Sequence, residues 1–199
     1  MIVSRARHPA AAESPAAGIL SFGCCLTGMK GIRNMSLTQD VIDAINDQIA
    51  NEMFGAYAYL ALSLWFDAQA LEGFAHWLGS QSAEELQHAE KLIRFLRDHD
   101  APVRYRSVSA PPQQFDSIEA ALQTVIEIEE RNTRQIHAIY HLALEQACHS
   151  AEVLMRWFIE QQAIEEKFAR QTMARVKLAG DDRGALLVLD QQFGRGEGL

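Results

Sequence analysis

AEELQHAEKL, residues 83–92, places a carboxylate and an imidazole three residues apart in a strongly helical pattern. Glu85 and His88 fall on one face of a helix, because residues three and four apart lie one above the other. Leu78 and Leu92 continue that face at helical spacing, so it is otherwise apolar. The stretch therefore predicts a helix that carries an acid and a histidine into the core.

Three further helical patterns have a polar residue at the centre of an apolar stripe. These residues are Glu52 and Tyr59 in the first pattern, Glu129 in the third, and Gln162 and Glu165 in the fourth. A single Glu on such a stripe is usually a solvated flank residue, and a single buried histidine is usually structural. Chance does not readily explain polar residues at matching depth on four helices, so we interpret these residues as one site.

Four carboxylates that converge in a core require positive charge, because burying each one unpaired costs several kcal/mol or more. Hard cations prefer carboxylate oxygen, with some imidazole nitrogen. One Glu from each of two helices, together with an E-x-x-H helix, is typical of a pair of iron or manganese ions inside a bundle. Glu85 is the best candidate for the carboxylate that bridges the two metals.

The rest of the chain predicts an all-α protein, since no segment alternates as a β-strand does and the prolines after Met35 all lie in one connection. Short links join the first helix to the second and, around His149 and Ser150, the third to the fourth. A long crossover joins the second to the third, which allows these two to run parallel. The predicted helices are 38–67, 73–99, 117–147 and 151–178, with the crossover at 100–116 and a short fifth helix at 183–193.

Composition narrows the possible partners and the cellular compartment. A net charge of -8 argues against nucleic acid as a partner and suits a cationic ligand. The three cysteines form no C-x-x-C pair and cannot all be bridged within one chain, so a reducing cytoplasm fits best. No apolar run is long enough to span a bilayer. We expect residues 1–34, rich in Ala, Gly, Pro and Ser, to be a disordered extension, and residues 35–199 to form the folded domain.

Three stretches closely resemble the non-haem bacterial ferritins, a family of the ferritin-like di-iron fold. They are NEMFGAYAYL at 51–60, AEELQHAEKL at 83–92 and RWFIEQQAIEEKF at 156–168. The resemblance extends from Met35 to about Phe193. It implies a ferritin-like four-helix bundle with a long crossover between the second and third helices and a short fifth C-terminal helix.

The resemblance also implies a ferroxidase site that binds two iron ions per subunit. Carried over by position, the ligands of the first iron are Glu52, Glu85 and His88, and those of the second are Glu85, Glu129 and Glu165. Gln162 matches a glutamine that lies beside the site and contacts a ligand derived from dioxygen, or a water. Tyr59 matches a tyrosine that hydrogen-bonds a ligand carboxylate.

Two departures from related patterns distinguish this chain within the wider ferritin-like group. Gln162 and Glu165 stand where bacterioferritins have a second E-x-x-H, and Leu86 stands where haem-binding members have a methionine, so no haem is expected. Some bacterial ferritins hold a third iron. Glu84 is present for it, but Gln161 and Ile164 occupy the matching positions on the fourth helix, which leaves a third site undecided.

The function implied by the resemblance is iron storage and detoxification. The protein would oxidise Fe(II) to Fe(III) with dioxygen or hydrogen peroxide and hold the product as ferric mineral inside a homo-oligomeric cage of twenty-four subunits. One alternative is a rubrerythrin-like peroxidase or another di-iron oxidase without storage, although the chain lacks the C-x-x-C pairs of rubrerythrin's electron-delivery domain. A second alternative is a non-catalytic cage subunit, against which the complete set of site residues argues.

Overall fold

The computed structural model describes residues 37–196, which form five helices and no strand. The helices are α1 Gln39–Ala68, α2 Glu72–Asp98, α3 Ile118–Glu145, α4 His149–Ala179 and α5 Arg183–Gly194. The predicted all-α bundle with a long crossover and a short fifth helix is confirmed. The prediction of a disordered extension at 1–34 lies outside the described residues.

Side-chain caps fix three of the helix starts. The Thr38 hydroxyl accepts a hydrogen bond from the Val41 amide at 3.4 Å, and Ser117 does the same for Ala120 at 3.1 Å. Asp182 accepts from two amides of the first turn of α5, at 2.8 and 3.1 Å. These short polar side chains satisfy backbone donors that have no partner inside a helix.

The predicted start of the fourth helix was wrong by two residues. His149 and Ser150, expected in the link, already belong to the first turn of α4, because the Cys148 carbonyl accepts hydrogen bonds from the amides of Ala151 and Glu152. The chain reverses earlier, where Ala147 adopts a left-handed conformation with φ of 52°. A non-glycine residue in that conformation carries no sequence signal, so the turn could not be located from the pattern.

Two helical hairpins, α1–α2 and α3–α4, pack together with α1 alongside α3, and residues 99–117 cross between the hairpins. Their apolar residues form two separate clusters. One contains Phe66, Phe74 and Leu122, and the other contains Ile45 and Leu92. Between the clusters lies a layer of buried polar side chains: Gln48, Glu52, Glu85, His88, Glu129, Asn132 and Gln162. We call this set the polar layer.

Helix α5 docks on the start of α2. The Asp190 carboxylate accepts a hydrogen bond from the Phe74 amide at 2.9 Å and so caps α2, whose own N-cap residue, Leu71, supplies no side-chain bond. The Phe193 ring packs against the Phe74 ring at 4.6 Å between centroids. At Gly73 the two backbones meet so closely that a Cβ atom would lie 1.7 Å from the Asp190 carbonyl oxygen.

Within residues 37–196, no helix combines the length and the apolar character needed to cross a membrane.

Candidate metal centre

Glu52, Glu85 and His88 converge within the polar layer. His88 Nδ1 lies 3.8 Å from Glu85 Oε2 and 4.0 Å from Glu52 Oε2. One possible ligand atom from each of the three residues lies within 4.8 Å of the other two. All three side chains are buried, and Glu52 has no exposed surface. Glu85 and His88, which share one face of α2, therefore lie beside the Glu52 carboxylate of α1. Together the three residues could hold a metal ion.

Glu129 forms the other half of the layer with two hydrogen-bonding residues. The Tyr59 hydroxyl donates a short hydrogen bond to Glu129 Oε1. The Gln162 amide nitrogen lies 3.4 Å from Glu129 Oε2, so it offers a weaker second donor. All three side chains are almost completely buried. This part of the layer thus joins α1, α3 and α4 through the carboxylate predicted to serve only the second metal.

Glu165 lies closer to the surface than the other predicted ligands and is half-buried. Burial, followed by the charge of Glu84, raises its pKa to about 7. The charges of Glu129 and Glu165 both help to raise the pKa of Glu85, so the three carboxylates are electrostatically linked. The structure therefore places all seven predicted site residues around one region of the bundle, with Glu165 at its edge.

Burial dominates the electrostatics of the carboxylates. It raises the pKa of Glu52 well above the usual value, and the adjacent Glu85 carboxyl raises it further. Burial also raises the pKa of Glu85 and of Glu129 to about 8. Near neutral pH the metal-free layer consequently holds protons that compensate its acidity. A metal ion would displace these protons when it binds.

The raised pKa values predict how the stability of the metal-free protein depends on pH. Because each folded-state pKa lies above its unfolded value, the stabilisation is present at low pH and is lost as pH rises through the folded pKa. We expect the Tm of chelator-treated protein to fall as pH rises from about 5, just above the unfolded pKa of a glutamate, to about 8, the folded pKa of Glu85 and Glu129, because ionisation of these carboxylates opposes folding there. Differential scanning calorimetry would measure this.

Two comparisons sharpen that measurement. Glu129→Gln removes one of the titrating groups and should flatten the fall in Tm. Saturation with Zn²⁺ should flatten it as well, because the cation replaces the protons. A Tm that rises across the same pH range in the metal-free protein would contradict the assignment of buried, protonated carboxylates.

The sequence pattern missed two residues of the polar layer, Gln48 and Asn132, and one residue beside it, Gly55. Gln48 and Asn132 donate hydrogen bonds to Glu52, at 2.7 and 3.3 Å. A Cβ atom at Gly55 would lie 3.1 Å from the Glu85 carboxyl carbon, so only glycine leaves that side chain its present room. A signal was available for the amides, since Gln48 lies four residues before Glu52 and Asn132 three residues after Glu129, on the same helix faces.

Comparison with known proteins identifies the family. A sequence profile described as a ferritin-like domain matches residues 42–179. The chain belongs to the ferritin family. The matched range contains every predicted site residue of this ferritin and ends where α4 ends.

Individual members of the ferritin family match most of this chain. The bacterial non-heme ferritin of Staphylococcus aureus strain USA300 is 29% identical over 158 residues, which cover 79% of this chain and 95% of the relative. A probable bacterial non-heme ferritin-like protein of Haemophilus influenzae is also 29% identical over 158 residues, covering 79% and 96%. The open-pore ferritin of the archaeon Archaeoglobus fulgidus superposes with a TM-score of 0.79 at 33% identity, covering 80% and 98%.

Proposed function

We propose that this protein stores iron and oxidises Fe(II) at the polar layer. The observation that carries the proposal is the burial of Glu52, Glu85 and Glu129 together between two apolar clusters, with His88 within 4.0 Å of two of them. A purely structural core would not gather these groups, because each would be more stable in water unless a cation compensated it. Membership of the ferritin family makes iron the natural cation.

The proposed ligand sets follow the geometry and the family resemblance together. Glu52, Glu85 and His88 would bind one Fe(II), and Glu85, Glu129 and Glu165 the other, with Glu85 touching both. Carboxylate oxygens and one imidazole suit iron in this arrangement. Tyr59 would hold the Glu129 side chain in place through its hydroxyl, and Gln162 would face the space beside the second iron.

Iron is the substrate in this reaction. Two Fe(II) ions each give up one electron. The electron pair, with two protons, reduces dioxygen to hydrogen peroxide or hydrogen peroxide to two waters. The chain's contribution is to hold the two ions close together and to compensate their charge. Ferric product would then leave for a mineral inside the assembled protein, which vacates the layer for further Fe(II).

Storage requires an enclosed particle, and we propose a homo-oligomeric cage of twenty-four subunits, the closed symmetric assembly expected for this family. The archaeal neighbour is itself described as an open-pore ferritin, and a second solved structure as an engineered closed form of it. A cytoplasmic location and the absence of haem, nucleic-acid and membrane partners stay predictions from the sequence.

We expect native protein to sediment as a particle of about half a megadalton, since each chain has a mass of 22.2 kDa. Analytical ultracentrifugation combined with iron analysis would test this, and the loaded particle should carry far more iron than two ions per subunit. Metal-free protein serves as the control, because assembly should not require iron. Sedimentation as monomers or dimers would contradict the proposed storage of iron and would favour a rubrerythrin-like di-iron oxidase. A cage that mineralises iron without rapid oxidation would favour a non-catalytic subunit.

A further inference from the structure

Glu52 is held by two amide side chains that are not themselves predicted ligands. The Gln48 amide nitrogen donates to Glu52 Oε1 at 2.7 Å, and the Asn132 amide nitrogen lies 3.3 Å from Glu52 Oε2. Gln48 comes from the preceding turn of α1, and Asn132 comes from α3. The two side chains are 1% and 3% exposed, so these bonds do not compete with bulk water. Each Glu52 oxygen thus accepts a hydrogen bond, one from a side chain of α1 and the other from a side chain of α3.

The orientation of both amides is fixed by the surrounding hydrogen bonds. Asn132 Oδ1 accepts from the amide nitrogens of Gln48 and Asn51, the latter at 2.9 Å. Turning either Gln48 or Asn132 over would place an amide oxygen against a Glu52 oxygen and lose these donors. The arrangement leaves Gln48 Oε1 buried without a hydrogen-bond partner. Such an unpaired acceptor is destabilising, so Gln48 is not explained by stability alone.

The two Glu52 oxygens are held unequally. Oε1 takes the shorter bond, from Gln48, whereas Oε2 takes the longer bond and faces His88 Nδ1 at 4.0 Å. Once Glu52 is ionised, as metal binding requires, the oxygen that accepts the shorter hydrogen bond is less available to a cation. Oε2 is consequently the oxygen oriented toward the other ligands of the first metal.

We propose that Gln48 and Asn132 are positioning residues that restrict Glu52 to binding metal through one oxygen, Oε2. This inference rests on the proposed function. A carboxylate that binds through one oxygen occupies one coordination position, whereas a freely turning carboxylate can take two. The amides therefore keep one position at the first iron open for the oxidant. In many proteins, residues that hydrogen-bond to a metal ligand orient that ligand and affect the metal affinity.

Co²⁺ provides a probe that reports ligand geometry without turnover. In Gln48→Met, an apolar side chain of similar length removes the donor, and Glu52 Oε1 is released. We expect the Kd for Co²⁺ at the first site to rise about tenfold. The Co²⁺ visible absorption should also shift and lose intensity, because a second Glu52 oxygen raises the coordination number. Isothermal titration calorimetry gives the Kd, and absorption spectroscopy gives the geometry.

Asn46→Leu is the matched control. Asn46 is a buried amide on the same helix, but it bonds the Ile42 and Pro102 carbonyls, at 2.9 and 3.1 Å, and accepts from the Arg104 amide at 2.6 Å. This control should lower the Tm and leave the Co²⁺ affinity and spectrum unchanged. Asn132→Leu removes the acceptor that orients Gln48 as well as the donor to Oε2, so it should shift the Co²⁺ spectrum in the same direction if Gln48→Met folds poorly.

The outcomes separate the inference from the proposed function. Wild-type protein that binds Co²⁺, with Gln48→Met and Asn132→Leu variants of unchanged Kd and spectrum, would overturn the positioning role and leave iron binding intact. Wild-type protein that binds no Co²⁺ at the layer would overturn the proposed function itself, and the positioning role with it. A spectral change in Asn46→Leu equal to that in Gln48→Met would show a general packing effect and would also overturn the inference.

Discussion

Glu85→Ala should abolish the rapid oxidation of the first two Fe(II) ions bound per subunit. Glu85 is the carboxylate proposed to touch both metals, so its removal leaves two cations without a shared ligand and with too little negative charge. His88 and Glu129 each serve one metal, and their loss should be less damaging. Stopped-flow absorbance after mixing with Fe(II) and oxygen would record the early ferric product, which we expect to disappear.

Folding should survive this change. The substitution removes one of several carboxyl groups buried together, whose desolvation and mutual repulsion on ionisation are unfavourable, and this offsets the small cavity it creates in the metal-free bundle. The Tm of the metal-free protein should be retained or raised. Glu90→Ala is the matched control, because Glu90 is an exposed carboxylate on the same helix, and it should oxidise iron at the wild-type rate. Wild-type early oxidation in Glu85→Ala would show that the two-iron site is wrongly assigned.

Of the substitutions proposed in this protein, Gly73→Ala should cause the largest fall in the free energy of unfolding. A Cβ atom there would lie 1.7 Å from the Asp190 carbonyl oxygen, and backbone atoms cannot yield as a flexible side chain can. Either α2 shifts or α5 leaves its site, which would expose Phe193 and remove the Asp190 cap from Phe74. We expect the free energy of unfolding to fall by about 3 kcal/mol or more, measured by denaturant titration.

Gly79→Ala is the corresponding control on the same helix. A Cβ atom at Gly79 meets only the Ser63 hydroxyl, at an ordinary 3.6 Å, so helix propensity alone should make this change neutral or stabilising. Trp77 fluorescence gives a local readout of α5, because its ring lies 5.1 Å from that of Phe193. If Gly73→Ala and Gly79→Ala were equally stable, the close crossing of α2 and α5 would be wrong.

Helical periodicity was sufficient to predict the buried carboxylates of the polar layer, although it did not identify Gln48 and Asn132. Glu52, Glu85 and Glu129 are separated by long stretches of sequence, yet each lies in phase with an apolar stripe, and a period of 3.6 residues is enough to assign a buried face. On α3 the phase was slightly misjudged. A stripe drawn through Glu129 at helical spacing includes Ile126 and Tyr140, which are half-buried, whereas the neighbouring Val125 and Ile139 are buried. Isoleucine and valine on both sides of the stripe made the two phases hard to distinguish.

Contacts between side chains could not be predicted in the same way. Periodicity identifies a face but not a rotamer, so the hydrogen bond from Gln48 to Glu52 on the same helix could not be assigned, and the bond from Asn132 also required the relative position of α1 and α3. The cap that Asp190 provides for α2 joins residues far apart in sequence, and nothing local in either segment indicates it. Polar residues in register with a predicted site were the available signal, and it was used for Gln162 but not for Gln48 and Asn132.

The division of the interior into two apolar clusters affects the cooperativity of unfolding. In a metal-free subunit the middle of the bundle contributes hydrogen bonds and little apolar burial, so the two ends are coupled through the helix backbones and the bonds of the polar layer. Metal bound across α1, α2, α3 and α4 would link the two halves directly. The bound metal ions would then contribute to the stability of the bundle. A subunit with metal bound would unfold as one unit, whereas the centre of a metal-free subunit would open more easily than its two ends.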